Sequence, residues 1–462
     1  MEQTTAKKNK YEIDMCNGTI MDKLISFSLP LMLSGILQLM FNAVDIIVVG
    51  RFSGSQALAA VGSTSALINV FTNLFIGISL GANVLTARFY AAGREKEVSE
   101  TVHTAITLAL VSGIVMALVG LVFSKGALAL MGTPDDVIGL SALYMRIYFL
   151  GMPFFMLYNY GAAILRAVGD TKRPLLFLMI AGVINACLNM VLVIVFKLGV
   201  AGVAIATVIS QMISCVLVLR CLCRSESSYR LRFSELGMKG YYLKQIFSVG
   251  VPAGIQSTVI NLSNVLLQSS VNSFGSTAMA GYTAANNLLG FLYVSVNSIT
   301  QACMSFTSQN YGVGKLKRMD RVLADCMILS VVVAVVLGCI CYGFGPEILQ
   351  IYTEDAEVIA CGMEILAYTT ITYFLCGWMD LFPGALRGMG YSAVPMVLSV
   401  IGTVGTRVVW IFGIFPYHRS LAILFISYPA SWIITIVLQV ICFYFVRRRV
   451  HRRSQALAGQ EA

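Results

Sequence analysis

Polar side chains are scarce in the apolar stretches of this chain, so their spacing is informative. The stretch at about 24–50 holds one acid, Asp45, and no base. Gln38, Asn42 and Asp45 fall at i, i+4 and i+7, which places them on one helix face. A carboxyl with so little water around it is costly to keep charged. Such a group takes up and releases a proton or coordinates a sodium ion, and this is the chemistry expected of Asp45. The structural alternative is an interfacial Asp that reaches water or pairs with an Arg of another helix. Asn185 and Asn189 repeat the i, i+4 spacing further along, and Thr207, Gln211 and Ser214 form a similar stripe. With Asp45 they could line one cavity; alone they would read as hydrogen-bonding glue between helices.

The second half of the chain carries longer polar rows without charge. Ser257, Asn261, Asn264, Gln268 and Asn272 share one helix face, and Asn286, Tyr293, Asn297 and Gln301 follow on the next stretch. Rows this long are unsuited to lipid and argue for a hydrated, neutral wall. Asn261, Asn264, Gln268, Asn286, Tyr293, Asn297 and Gln301 are the candidate substrate-cavity residues. Asp380, in the stretch 358–384, is a second candidate intramembrane acid, and Arg407 is its candidate counter-ion, as an ion pair or gate.

The elements that must position these groups follow from composition. Of 462 residues, 58% are hydrophobic and 12% charged, and the mean hydropathy is +0.81. A soluble protein carries about 25% charged residues, so this chain is expected to span a membrane. A helix needs roughly 20 apolar residues to cross. Twelve such stretches occur, at about 24–50, 57–86, 102–124, 138–164, 174–196, 200–222, 246–273, 279–308, 322–344, 358–384, 393–415 and 420–446. Those longer than 25 residues are expected to tilt or bend. With a cytoplasmic N-terminus, 26 of the 32 Lys and Arg lie on the cytoplasmic side and four (Arg51, Lys125, Lys197 and Arg419) on the other. The positive-inside rule therefore places both termini in the cytoplasm of a multi-pass plasma-membrane protein. The first apolar run is too long for a signal-peptide core and is expected to stay as the first span.

The chain also contains itself twice. Gly54-Ser55-Gln56-Ala57-Leu58-Ala59 returns 221 residues later as Gly275-Ser276-Thr277-Ala278-Met279-Ala280. The same offset carries Gly93 to Gly314, Leu165-Arg166 to Leu386-Arg387 and Gly169 to Gly390, slipping by one at Pro30 and Pro252. Six spans per copy means that both copies enter from the same side, a parallel repeat. The expected organisation is a cytoplasmic segment 1–23, an N-lobe 24–222, a cytoplasmic linker 223–245, a C-lobe 246–446 and a basic tail 447–462 that is disordered beyond Arg453. Asp45 aligns with Leu267, so the ion chemistry is expected in the first copy alone.

Other chemistries find little support. Gly77-Ile78-Ser79-Leu80-Gly81 matches the hydrolase pattern GxSxG, but in a long apolar helix it reads as a close-packing surface. The twelve cysteines are scattered and make no zinc or redox pattern, no metal site is expected, and no nucleotide loop is present. No cofactor is expected beyond H+ or Na+. The basic balance is a topology signal, with no interleaved aromatics to suggest nucleic acid. His103 is the histidine nearest an N-lobe helix.

Together these residues resemble the multidrug and toxin extrusion (MATE) family of the flippase superfamily, over residues 20–446. The resemblance rests on Pro30, on Val44-Asp45 with Val49-Gly50-Arg51, on Ala57-Leu58-Ala59-Ala60-Val61-Gly62, on Leu165-Arg166-Ala167-Val168-Gly169-Asp170-Thr171, on Gly199 to Thr207, and on Gly384-Ala385-Leu386-Arg387-Gly388. It implies an all-α polytopic membrane protein of 12 transmembrane helices, two pseudo-symmetric six-helix lobes in a V. It also implies efflux of organic cations in exchange for protons or sodium. The family's first-span acid matches Asp45 and its cavity asparagine matches Asn185. The seventh-span Glu of sodium-type members falls near Ile260 or Asn261, and the tenth-span acid near Cys376, one turn from Asp380. Asp45 is thus the main coupling candidate. The expected partners are small organic molecules and membrane lipids, with the chain acting as a monomer. The rival readings are a lipid-linked precursor flippase, which would need an anion-binding cleft, an intramembrane enzyme, and a receptor.

Overall fold

The computed structural model describes residues 11–458, and among them every regular element is helical. Among the described residues nine helices are each long and apolar enough to cross a membrane, from Met21–Phe52 to Leu421–Arg452, and two bent pairs add two more spans. The remaining span, Ser276–Gly312, the eighth along the chain, is 37 residues long and has no charged residue, but is more polar than the others. The twelve expected stretches therefore all form, most of them longer by several residues. The last helix continues to Ala458, so the expected disorder beyond Arg453 does not hold for residues 454–458; residues 1–10 and 459–462 lie outside the described residues.

The two bends occupy corresponding places in the two copies but have different chemistry. In the fourth span, Asp135–Leu150 meets Met152–Ala167 at 47°. Pro153, in the first turn of the second segment, has no N–H to continue the ladder. In the tenth span, Ala356–Thr369 meets Tyr373–Gly388 at 51°. Here threonines do the work: the hydroxyls of Thr369, Thr370 and Thr372 donate to the carbonyls of Ile365, Leu366 and Tyr368 at 2.6–2.8 Å. Hydroxyls bonded to carbonyls four residues back loosen and bend a helix. The fifth and eleventh spans likewise both contain π-helical stretches, Met190–Val195 in one, Val400–Gly405 and Trp410–Ile414 in the other.

The duplicated turns share one conformation. Gly169 (φ 95) and Gly390 (φ 91) sit in the left-handed region. Each ends its helix with the same pair of bonds: Gly169 N to Arg166 O and Asp170 N to Leu165 O, Gly390 N to Arg387 O and Tyr391 N to Leu386 O. This is the Schellman arrangement, and a Cβ at its glycine costs about 1–2 kcal/mol. Gly390→Val is therefore expected to lower the melting temperature of the purified protein, whereas Gly237→Val, at a position with no neighbour within 4 Å, should not. Equal melting temperatures would remove the conformational argument.

Contacts group the chain into two compact units. The first comprises residues up to Ile13 together with Leu33–Gly254; the second comprises Asp14–Met32 with Ile255–Ala462. The first and seventh spans are thus each divided, two residues after the matched prolines Pro30 and Pro252. A proline removes one ladder bond and lets a helix change its neighbours there. The polar segment 223–245, expected to link the lobes, lies within the first unit. It is folded onto the third span, Glu95–Leu130: Arg232 N donates to His103 Nε2 at 3.0 Å and Lys239 N to Thr104 Oγ1 at 3.3 Å. His103 Nδ1 lies 2.7 Å from Ser99 O, so both ring nitrogens are taken by the backbone.

Gly77 and Gly81 form the close-packing surface anticipated for them. A Cβ at either would collide with the backbone of the seventh span, at Gly254 and at Ile246 respectively, and Gly250 meets Ile78 in the same way. None of the twelve cysteines is disulfide-bonded.

Candidate ion and substrate sites

The first span brings Asp45 to the fifth and sixth spans by way of a glycine. Gly182 has no side chain, and the ring of Phe41 occupies the place a Cβ would take. Phe41 is one turn before Asp45; Asn185 and Asn189 lie one and two turns beyond Gly182. The close approach therefore sets the carboxylate opposite the two amides. Asn189 Nδ2 donates to Asp45 Oδ1 and, at 3.1 Å, to Asn185 Oδ1. Thr207 Oγ1 lies 3.4 Å from Asp45 Oδ2, and Asn185 Nδ2 3.5 Å from Ser210 Oγ. Both asparagines are buried. Asn189 directly precedes the π stretch Met190–Val195, a helical irregularity that recurs at functional sites.

This cluster has two properties that matter for ion chemistry. No basic residue pairs with Asp45 among the described residues. The carbonyl Oδ1 of Asn189 is buried and makes no hydrogen bond. A carboxylate and a spare carbonyl together offer acceptors for a proton or a small cation.

Of the residues placed beside Asp45 by sequence, Asn185, Asn189 and Thr207 join it. Gln38 and Asn42 do not: both are exposed and neither hydrogen-bonds to the acid. A shared helix face brings side chains into line, but Gln38 is two turns away, about 10 Å along the axis. Two residues outside the expected set lie close enough to Asp45 to feel its charge, Tyr144 and Tyr148 of the fourth span. Their rings stack at 6.2 Å. The available signal was the i, i+4 pairing of the tyrosines, in register with the Thr207 and Gln211 row.

In the second unit the candidate residues separate into two groups. On the eighth span Gln301 Nε2 donates to Asn297 Oδ1 at 3.1 Å, and Asn297 Nδ2 lies 3.5 Å from Tyr293 Oη, while Asn286 is exposed. On the seventh span Asn261 and Gln268 are exposed and Asn264 is half-buried.

The expected pair of Asp380 and Arg407 does not form. Arg407 is buried and turns to Ser263 and Asn264, with its guanidinium 4.9 Å over the Tyr428 ring. The basic group nearest in effect to Asp380 is Arg387, two turns on along the same helix, which donates to Gln256 Oε1 at 2.7 Å. The physical reason is reach: Arg407 projects from a short turn between π stretches toward the seventh and twelfth spans. Asp380 shares its helix face with Gly377 and Gly384, which abut Val296 and Thr300 of the eighth span.

No group of His, Cys, Asp and Glu suited to a metal ion occurs among the described residues. Nor does His103, bound on both sides by backbone, have the freedom of a catalytic base.

Comparison with known proteins identifies the architecture. The MatE family model matches residues 30–191 and again 252–412. A probable multidrug resistance protein of Bacillus subtilis, YoeA, is 32% identical over 434 residues, covering 92% of this chain and 93% of that protein. A probable multidrug resistance protein NorM of Thermotoga maritima is 25% identical over 388 residues, 83% of each. Among solved structures, a MATE protein in complex with MaL6 superposes with a TM-score of 0.88 at 19% identity, covering 97% of this chain and 100% of that one. A MOP superfamily transporter from Pyrococcus furiosus, described as having a binding pocket of reverse polarity, gives 0.87 at 20% identity, covering 96% and 99%. These likenesses establish an all-α polytopic membrane fold of twelve helices in two six-helix copies. With the family model met once by each copy, and across more than half the chain, this protein belongs to the MatE family, a family of membrane transporters and not of enzymes.

Proposed function

We propose that the chain is a secondary active antiporter that exports organic, mostly cationic and amphiphilic compounds in exchange for H+, by alternating access. The observation that carries this reading is Asp45, an acid with no basic partner, held by Asn189 and Thr207 beside a buried unsatisfied carbonyl. Protonation of Asp45 would give that carbonyl a donor and remove an uncompensated charge from the membrane interior. The names of the relatives YoeA and NorM support drug-like substrates. On this reading the protein works as a monomer in the plasma membrane with both termini cytoplasmic. Asn185, Asn189 and Thr207 position the coupling acid, and the amide rows of the second unit face the substrate.

Proteoliposomes loaded with a cationic dye test it. An imposed pH gradient is expected to drive dye flux, and a sodium gradient alone is not. Flux driven by sodium alone would move the reading to Na+ coupling, and flux indifferent to both gradients would sink the antiporter. In the same assay Asn189→Leu, which removes the amide donor and the spare carbonyl, is expected to slow proton-driven flux by roughly tenfold, the scale of a hydrogen bond to a charged group. An unchanged rate would exclude Asn189 from the site.

A further inference from the structure

The second unit contains a buried positive charge that its own acids do not neutralise. Arg407 is 3% exposed. It sits on Thr406–Val409, a single α-helical turn between the π stretches Val400–Gly405 and Trp410–Ile414. Such irregular turns concentrate at functional sites. Nη1 makes both of its hydrogen bonds, to Ser263 Oγ at 2.8 Å and Asn264 Oδ1 at 2.7 Å. Nε is buried with no acceptor. Tyr428, whose hydroxyl lies 3.0 Å from that of Tyr282, lies beneath the guanidinium plane. No carboxylate pairs with Arg407 among the described residues. A guanidinium has five donors, and an unpaired charge in a membrane interior is expensive. Two neutral acceptors and a ring satisfy only part of that demand.

Asn264 connects this charge to an open surface. Asn261 and Gln268 flank it at i−3 and i+4 on one face of the seventh span, and both are exposed. Read from sequence, that row is a neutral hydrated wall. With Arg407 behind it, the row becomes electropositive, and its amides can donate hydrogen bonds alongside the guanidinium.

We propose that the Asn261–Asn264–Gln268 face, backed by Arg407, is a binding site for an oxyanion, a carboxylate or phosphate carried by the ligand. The carboxylate or phosphate accepts from the amide N–H groups of the row, its charge balanced by the guanidinium held behind them, a contact stronger than one between neutral groups. The inference rests on the export reading only in that the ligand is a transported compound. It gives that compound an acidic group in addition to any cationic one.

The test is equilibrium dye binding to the full-length protein in detergent micelles, with no gradient imposed. The probes are rhodamine B, which carries a free carboxylate, and its ethyl ester, which does not. Arg407→Gln is expected to weaken the carboxylate dye roughly tenfold or more and the ester less than twofold, with Arg407→Lys between. Because Arg407 also ties three spans together, Asn264→Asp is the second variant. It places a carboxylate beside Nη1, cancels the charge and should produce the same selective loss. Equal losses of both dyes in the folded variants, or no loss of the carboxylate dye, would overturn the site. A soluble short-chain phosphatidic acid then distinguishes the sources. If it displaces rhodamine B, the site takes lipid phosphate; if it does not, the site takes the exported compound's own carboxylate. A failure of the antiporter reading would appear as absent gradient-driven flux with this binding difference intact.

Discussion

Asp45→Asn is expected to abolish gradient-driven dye efflux, a fall of roughly 100-fold, while the purified protein keeps its wild-type melting behaviour. The magnitude corresponds to a coupling free energy of about 3 kcal/mol between ion and substrate. Asn matches Asp in shape: its Oδ1 still accepts from Asn189, and its NH2 stands where Oδ2 accepted from Thr207, whose hydroxyl can turn to accept instead, so the packing around the first span is preserved. It cannot take up a proton. Coupling should therefore vanish while equilibrium binding of the dye survives, a split that a merely structural role for Asp45 would not produce. Asp45→Glu keeps the titratable group and should retain part of the flux. The measurement is efflux from proteoliposomes under an imposed pH gradient, alongside dye binding without one. Full coupled transport by Asp45→Asn would remove the acid from the mechanism.

The second large effect is on folding. Gly77→Val is expected to prevent recovery of monodisperse protein, because its side chain would enter the backbone of Gly254. Overpacking of ordinary cores costs about 1–3 kcal/mol through side-chain adjustment. At Gly77 the obstacle is main chain, which cannot change rotamer, so the helices themselves must separate. Membrane helices depend on such close approach because lipid gives them little hydrophobic reason to associate. Gly62→Val on the same span is the control, since nothing lies within 4 Å of that position. Size-exclusion profiles and melting temperatures of the two variants decide the matter, and equal behaviour would show that the Gly77 contact is dispensable.

The bends of the fourth and tenth spans show the limit of reading the duplication. They stand at matching positions, yet one rests on a proline after Gly151 and the other on three threonine hydroxyls. The repeat of geometry is not a repeat of residues, and comparison of the two copies by letter would miss it. The same holds for the π stretches, which no residue pattern in the two spans announces.

Asp45 and Arg407 illustrate the division between sequence and structure most directly. The sequence alone determined the twelve spans, the duplicated half, the glycine-ended turns and Asp45 as the one acid of the first apolar stretch, 24–50. Each is a local property: apolar length, a left-handed turn closed within six residues, or a charge where none belongs. Only the tertiary structure decided that Asn189 and Thr207 reach Asp45 while Gln38 and Asn42 do not. It also decided that Tyr144 and Tyr148 stand nearby, and that Arg407 turns to Ser263 and Asn264 instead of Asp380, behind a row that is neutral in sequence. The reason is physical. In a span surrounded by lipid as apolar as the protein's own interior, hydrophobicity does not mark which face turns inward. The orientation of each helix is set by where a glycine admits a close approach, at Gly182 to the Phe41 ring or at Gly77 to the Gly254 backbone, and those partners lie on other spans.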